Sequence, residues 1–200
     1  LHMFHGPWAE EYRSAQTARP RSPARRLLDL AVVRMLHHVE NRALRRARRI
    51  VVLSRHFQQH LARWHSGLPT PVEVAAGGVD LKRFTPVPEP ERLRIREAYG
   101  LKPADRLFVA MRRLDPRMGL DVLLDAFARI APRFPQARLW LTGRGPAEGS
   151  LHARIQQHHL ESSVRLLGFI PEEELPGLLN AADAALMPSL DLEGFGLATA

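Results

Sequence analysis

Apolar residues along this chain fall into short continuous runs separated by segments in which they recur three or four positions apart. Leu1, His2, Met3 and Phe4 read as the end of a strand, followed by a turn at His5, Gly6, Pro7 and Trp8 and an arginine- and proline-spotted loop over 19–23. From Ala24 to about Arg48 the spacing of Leu27, Leu28, Ala31, Met35, Val39 and Ala43 predicts a helix with one apolar face. Ile50, Val51, Val52 and Leu53 form a strand, Ser54 is placed to cap a helix carrying Phe57, Leu61 and Trp64, and residues 72–75 form another strand.

Beyond Pro90 the rhythm is regular. Strands are predicted at 107–111, 139–142, 164–167 and 184–187, alternating with helices that present Leu120, Leu124 and Phe127, then Leu151 and Ile155, then Leu175, Leu178 and Leu179. Such alternation predicts an α/β fold whose parallel sheet is covered on both faces. Pro86, Pro88 and Pro90 have linker composition and suggest a division of the chain. The expected organisation is a first domain over 1–85, a linker leading into the second domain over 86–104, and the second domain over 105–200. Both ends read as cuts, because the first residues look like a strand already under way and the last like an unfinished helix.

Composition narrows the classes. With 45% apolar and 25% charged residues the chain can bury a core, and it has no cysteine for disulfides or thiolate metal sites. No run of 18 apolar residues is present, and Leu1 to Phe4 lacks the make-up of a signal peptide. The net charge of +8 is concentrated, since residues 13–49 hold eleven arginines against Asp29 and Glu40. That segment asks for an anionic partner.

The most informative chemistry lies near the end. Pro188 and Ser189 lead into an acidic loop and then Glu193, Gly194, Phe195 and Gly196 at a predicted strand-to-helix turn. A carboxylate there accepts hydroxyl hydrogen bonds, while side-chain-free amides and a helix N-terminus meet an anion. This pairing suits a polyhydroxylated ligand with an anionic leaving group. Ligands of parallel α/β sheets bind at the carboxyl ends of the strands. Arg112, Arg113, Gly143, Gly168 and Glu193 are all predicted at such ends.

In order and spacing these segments resemble the retaining glycosyltransferases of family four, also called group one, which have the two-domain GT-B architecture. The resemblance rests on Arg113-Leu114 with Gly119, Leu141-Thr142-Gly143-Arg144-Gly145-Pro146, and Val164 through Gly168-Phe169. It continues with Ala182-Asp183, Pro188-Ser189 and Glu193-Gly194-Phe195-Gly196-Leu197. Weaker matches in the first domain are His5-Gly6, Val52-Leu53-Ser54 and Gly78-Val79-Asp80 with Phe84. The resemblance implies two Rossmann-like domains, both incomplete here, and transfer of a hexosyl group from a nucleotide-diphosphate sugar with retention of configuration.

It also implies no metal and no cofactor beyond the donor substrate, since fixed cations and amides hold the departing diphosphate. Arg113 would bind the phosphates, Glu193 the sugar hydroxyls, and Gly194, Phe195, Gly196 and Leu197 the sugar and diphosphate. Gly168, Phe169, Ile170 and Ser189 would meet the nucleotide, and His5 would approach the sugar from the first domain. The acceptor would be a glycan, a lipid-linked molecule or a small molecule. Many such enzymes are cytoplasmic and work peripherally at the inner face of the membrane, which the arginine-rich segment suits.

The chain departs from the family in two places. Met118 stands where the family has a lysine, and the adjacent Arg117 is expected to supply the missing cation. The ribose-binding glutamate would fall at position 201, so residues 1–200 alone are expected to be inactive.

A sugar-nucleotide epimerase also uses a GT-B cleft. A nucleic-acid-binding module built on 13–49 would lack aromatics among its arginines for base stacking, so no nucleic acid is expected. His56 and His60 stand four apart without an obvious third ligand, so no metal site is expected. His37-His38 and His158-His159 are read as solvated helix residues, Glu172 to Glu174 as helix-start acids, and Ser54 as a cap rather than a nucleophile.

Overall fold

The computed structural model describes residues 2–4, 6–16 and 22–190. They divide into two compact units, one extending to Gly78 and the other spanning Val79–Leu190. Each is a parallel α/β unit.

In the first unit, β1 (His2–Phe4), β2 (Ile50–Val52) and β3 (Val72–Val74) form a parallel sheet in the order β1-β2-β3. Helices α1 (Trp8–Gln16), α2 (Pro23–Arg46) and α3 (Arg55–Trp64) complete it. Phe4, Leu44, Ile50, Val52, Phe57 and Leu61 make its core. The Ser54 hydroxyl accepts from the Phe57 N–H at 3.2 Å, so it is a helix cap. Helix α1 has no apolar stripe and was not expected. Glu10 and Glu11 complement its N-terminal dipole, and Tyr12 donates to Asp29 on α2 at 2.9 Å.

Helix α2 corrects the sequence reading of its face. Leu27, Leu28, Met35 and Val39, expected to point inward, are exposed. Its buried residues are Asp29, Val33, Glu40 and Leu44. Two acids take inward positions because each has polar partners there: Tyr12 for Asp29, and His65 with the Trp8 N–H for Glu40.

The second unit contains α4 (Glu89–Ala98), β4 (Arg106–Met111), α5 (Leu120–Ile130), β5 (Ala137–Thr142), α6 (Glu148–Gln157), β6 (Val164–Gly168), α7 (Leu175–Ala181) and β7 (Ala184–Ala185). Its sheet is parallel throughout, in the order β6-β5-β4-β7. Alternate strand residues serve opposite layers. Leu139 and Leu141 join Leu120, Leu124, Phe127, Leu151 and Ile155 in a core beneath α5 and α6. Leu107, Val109 and Trp140 join Leu101, Leu178 and Ala181 on the other side, beneath α4 and α7.

The division at Gly78/Val79 precedes the proline-rich stretch, and the expected linker, 86–104, carries α4 of the second unit. Pro90 sits in the first turn of α4, where a missing N–H has no intrahelical partner to lose. Helix α4 is fastened by a buried arginine. The Arg96 guanidinium donates to the carbonyls of Ala181 at 2.6 Å and Asp105 at 2.5 Å and pairs with Asp183 at 3.1 Å.

Candidate functional site

Strand β4 begins the second sheet, with β5 and β6 added on one side and β7 on the other. The strand order therefore reverses between β4 and β7, and in sheets of this kind the binding crevice lies at such a reversal, beyond the carboxyl ends. Four loops gather along this edge: 112–119 after β4, 143–147 after β5, 169–171 after β6 and 186–190 after β7.

Backbone contacts lock these loops together. The Gly143 N–H donates to the Gly168 carbonyl at 2.6 Å, Leu114 N–H to Arg144 O at 3.1 Å, and Leu190 N–H to Arg117 O at 3.0 Å. Glycine is required at the close crossings. A Cβ on Gly119 (φ +66) would lie 2.1 Å from the Pro188 carbonyl, and one on Gly145 would lie 2.2 Å from the Leu114 carbonyl. No side chain could enter either gap. Gly119 also caps the N-terminus of α5 without any side-chain hydrogen bond, which leaves its leading amides for an anion.

The cations at this edge sit as follows. Arg113 is exposed, and its side chain has no hydrogen-bond partner among the described residues. Arg117 is half-buried, 3.9 Å from Asp115, whose carboxylate also accepts the Arg117 N–H at 3.2 Å. Arg112, not singled out from sequence as a ligand residue, carries its guanidinium to the sulfurs of Met118 at 2.9 Å and Met187 at 3.6 Å. A cation is thus delivered beside the methionine that replaces the family's lysine. Nothing in the sequence marks Arg112 over its neighbours, because its direction depends on how β4 and β7 pack.

Among the predicted nucleotide contacts, the Gly168 carbonyl is engaged by Gly143, Phe169 is 66% exposed, and Ile170 packs against the α4–α7 core. Ser189 follows Pro188 in the loop pressed against Gly119. Arg113, Arg117, Gly168, Phe169, Ile170 and Ser189 therefore share one sheet edge. His5, Glu193, Gly194, Phe195, Gly196 and Leu197 lie outside the described residues.

Asp183, one residue before β7, fastens the strand that flanks the crevice. It accepts from the Leu107 N–H at 2.7 Å and pairs with Arg92 at 3.0 Å and Arg96 at 3.1 Å. Burial pushes its carboxyl up, but the Leu107 N–H and the two guanidiniums outweigh that and hold it below the ordinary carboxylate value. On the far side of the sheet Asp125 of α5 takes Arg154 and His158 of α6. His158, the residue that caps the C-terminus of α6, is thus partly exposed and also ties that end to α5. Glu172 pairs with Arg83 at 2.8 Å, in keeping with a structural role for that acidic run.

A two-domain GT-B fold is what these parallel units match. Sucrose-phosphate synthase from Thermosynechococcus elongatus aligns with a TM-score of 0.76 and 28% identity, covering 99% of this chain and 46% of that one. The profile for "Glycosyl transferases group 1" matches residues 91–200, and the chain belongs to that family. A GDP-mannose-dependent alpha-(1-6)-phosphatidylinositol monomannoside mannosyltransferase from Mycolicibacterium smegmatis is 38% identical over 127 residues, covering 60% of this chain and 32% of the relative. A D-inositol 3-phosphate glycosyltransferase from Jonesia denitrificans is 38% identical over 140 residues, covering 64% and 32%. The chain thus spans about a third of the length of the curated relatives it matches.

Proposed function

We propose that this chain forms part of a glycosyltransferase that moves a hexosyl group from a nucleotide-diphosphate sugar to an acceptor, with retention of configuration and without a metal. What supports this reading is the group 1 family match over residues 91–200, together with the placement of Arg112, Arg113 and the α5 N-terminus, which lacks a side-chain cap, in the segment that follows β4 at the reversal of strand order. Breaking the bond between the sugar and the diphosphate leaves positive charge on the ring and negative charge on the departing phosphate. Fixed cations and amides aimed at that phosphate stabilise it more than they stabilise the bound donor.

In this proposal Arg113 binds the phosphates, with Arg112 or Arg117 as the second cation, and the backbone of Gly168, Phe169 and Ile170 meets the nucleotide beside Ser189. Glu193 and the amides of Gly194, Phe195, Gly196 and Leu197 hold the sugar and diphosphate, and His5 acts as a further catalytic residue. The names of the relatives point to phosphorylated or lipid-linked inositols as one acceptor class. Glycans and other small molecules remain in the proposal.

The test is turnover by the purified enzyme. Nucleoside diphosphate released only when acceptor is present, at a rate indifferent to added Mg2+ or Mn2+, supports metal-independent transfer. The anomeric coupling of the product, read by NMR, reports retention or inversion. Interconversion of two nucleotide sugars without acceptor would establish the epimerase instead. Arg113→Ala should lower kcat/KM on the order of 10²–10³-fold. Whichever of Arg112→Ala and Arg117→Ala falls comparably identifies the group standing in for lysine.

A further inference from the structure

We propose that His37, Glu40 and His65 form a zinc site in the first unit. Among the described residues they are the group of three whose side chains could hold a metal ion together, with ligating atoms all within 4.8 Å of one another. His37 and Glu40 stand three apart on α2 and so share a face, while His65 is the residue that caps the C-terminus of α3. Two successive helices, joined through β2, thereby deliver two imidazoles and a carboxylate to one point.

The donor set and geometry are those of a divalent transition metal. Zinc bonds of about 2.0–2.2 Å at the tetrahedral angle set ligand atoms about 3.3 Å apart. The His65 Nε2 and Glu40 Oε2 are already 2.9 Å apart, and the His37 and His65 rings lie 5.1 Å apart between centroids. A small rotation of His37 brings its nitrogen into the set. The Glu40 and His65 side chains are 4% and 1% exposed, so the site is walled on the protein side. His37 is half-buried and leaves an approach for the ion and for a water in the fourth position.

The outer shell is in place as well. The Glu40 Oε1 accepts the Trp8 N–H at 3.1 Å, which orients the carboxylate and reserves Oε2 for the metal. The backbone N–H of His65 donates to the Leu61 carbonyl at 2.8 Å, which fixes the residue at the end of α3. A bound ion would therefore cross-link the start of α1, the middle of α2 and the end of α3. Its role is structural, and it leaves transfer chemistry in the second unit untouched.

His37 separates this proposal from a simple buried Glu–His hydrogen bond, because its one ring contact is dispensable to that pair but its nitrogen is needed by a metal. Protein stripped with EDTA and titrated with Zn2+ should take up one equivalent per chain. Its Tm should rise by about 5–10 °C at a hundredfold excess of free zinc over Kd. Co2+ should give the visible absorption of a tetrahedral N/O site. His37→Ala should keep the metal-free Tm and lose the zinc-dependent rise and the cobalt spectrum. The double variant His56→Ala/His60→Ala, which removes the imidazole pair at 4.2 Å on α3, should keep both. A wild-type Tm indifferent to Zn2+ overturns the site. So does zinc binding that survives His37→Ala, or that vanishes in the α3 double variant.

Discussion

Single residues at the crevice act through what their backbone allows. Gly119 combines φ +66 with a carbonyl 2.1 Å from where a Cβ would sit, so alanine must both strain the chain and push the Pro188 loop away. Gly119→Ala should cost on the order of 3 kcal/mol, read as a drop in Tm, and should weaken donor binding because the β7 loop moves. Gly149 is the control. It lies within α6 with nothing near its missing Cβ, so Gly149→Ala should stabilise by about 0.5–1 kcal/mol. A fall in stability for Gly149→Ala, or none for Gly119→Ala, would contradict this account of the loop contacts. Gly119 was legible in sequence as part of a motif. Its reason was not, because the carbonyl it accommodates is about seventy positions away.

At the scale of elements, Asp183 decides how β7 and α4 attach to β4. A carboxylate held below its ordinary value gives stability that is full above about pH 4 and is lost as pH falls through the lower, folded value. Asp183→Asn should therefore lower Tm at neutral pH, because Arg92 and Arg96 lose their counter-charge while the Leu107 N–H keeps an acceptor. The gap from wild type should begin to narrow as pH falls below about 4 and keep narrowing as the folded carboxylate takes up its proton. A difference that is constant from pH 7 to pH 2.5 would rule out the charge as its source. The position of Asp183 before the fourth strand was visible in the sequence. Its partners were not, since the stretch that supplies Arg92 and Arg96 had the proline content of a linker. Helix α4 forms there because its prolines fall where helices tolerate them and because α7 offers it a surface.

For the whole molecule the uneven charge matters most. Helix α2 turns Val33 and Leu44 inward and leaves Leu27, Leu28, Leu30, Met35 and Val39 exposed among Arg34, Arg42, Arg45 and Arg46. Beside them is a cavity of about 310 Å³ lined by His38, Asn41, Arg42, Arg45 and Arg46. No described helix is long and apolar enough to cross a membrane. An exposed face that mixes arginine with leucine suits the surface of an anionic bilayer, where each basic residue contributes about 1 kcal/mol within a Debye length. Co-sedimentation with vesicles should therefore rise with the anionic lipid fraction and fade with salt. Leu27→Ser/Leu28→Ser should reduce it, while melting of the exposed-face variant stays within about 1 °C of wild type. Equal recovery with neutral and anionic vesicles would rule out a bilayer as the partner of this face.

The amino-acid pattern alone determined the α/β class, the seven strands within a residue or two, the Ser54 cap and the family. These follow from local signals: runs of β-branched and aliphatic residues, three-to-four spacing, and glycines and arginines at fixed offsets. It did not determine which face of α2 is buried, that α1 and α4 are helices, or which arginine meets Met118. Those outcomes depend on partners far along the chain. Asp29 and Glu40 can be buried only because Tyr12, Trp8 and His65 arrive to satisfy them. Arg112 reaches the methionines only because β4 and β7 pair in register, with Phe108 opposite Ala184 and Val109 opposite Ala185. Periodicity reports where a side chain sits around its own element. Burial and pairing are settled by what the rest of the chain brings to it.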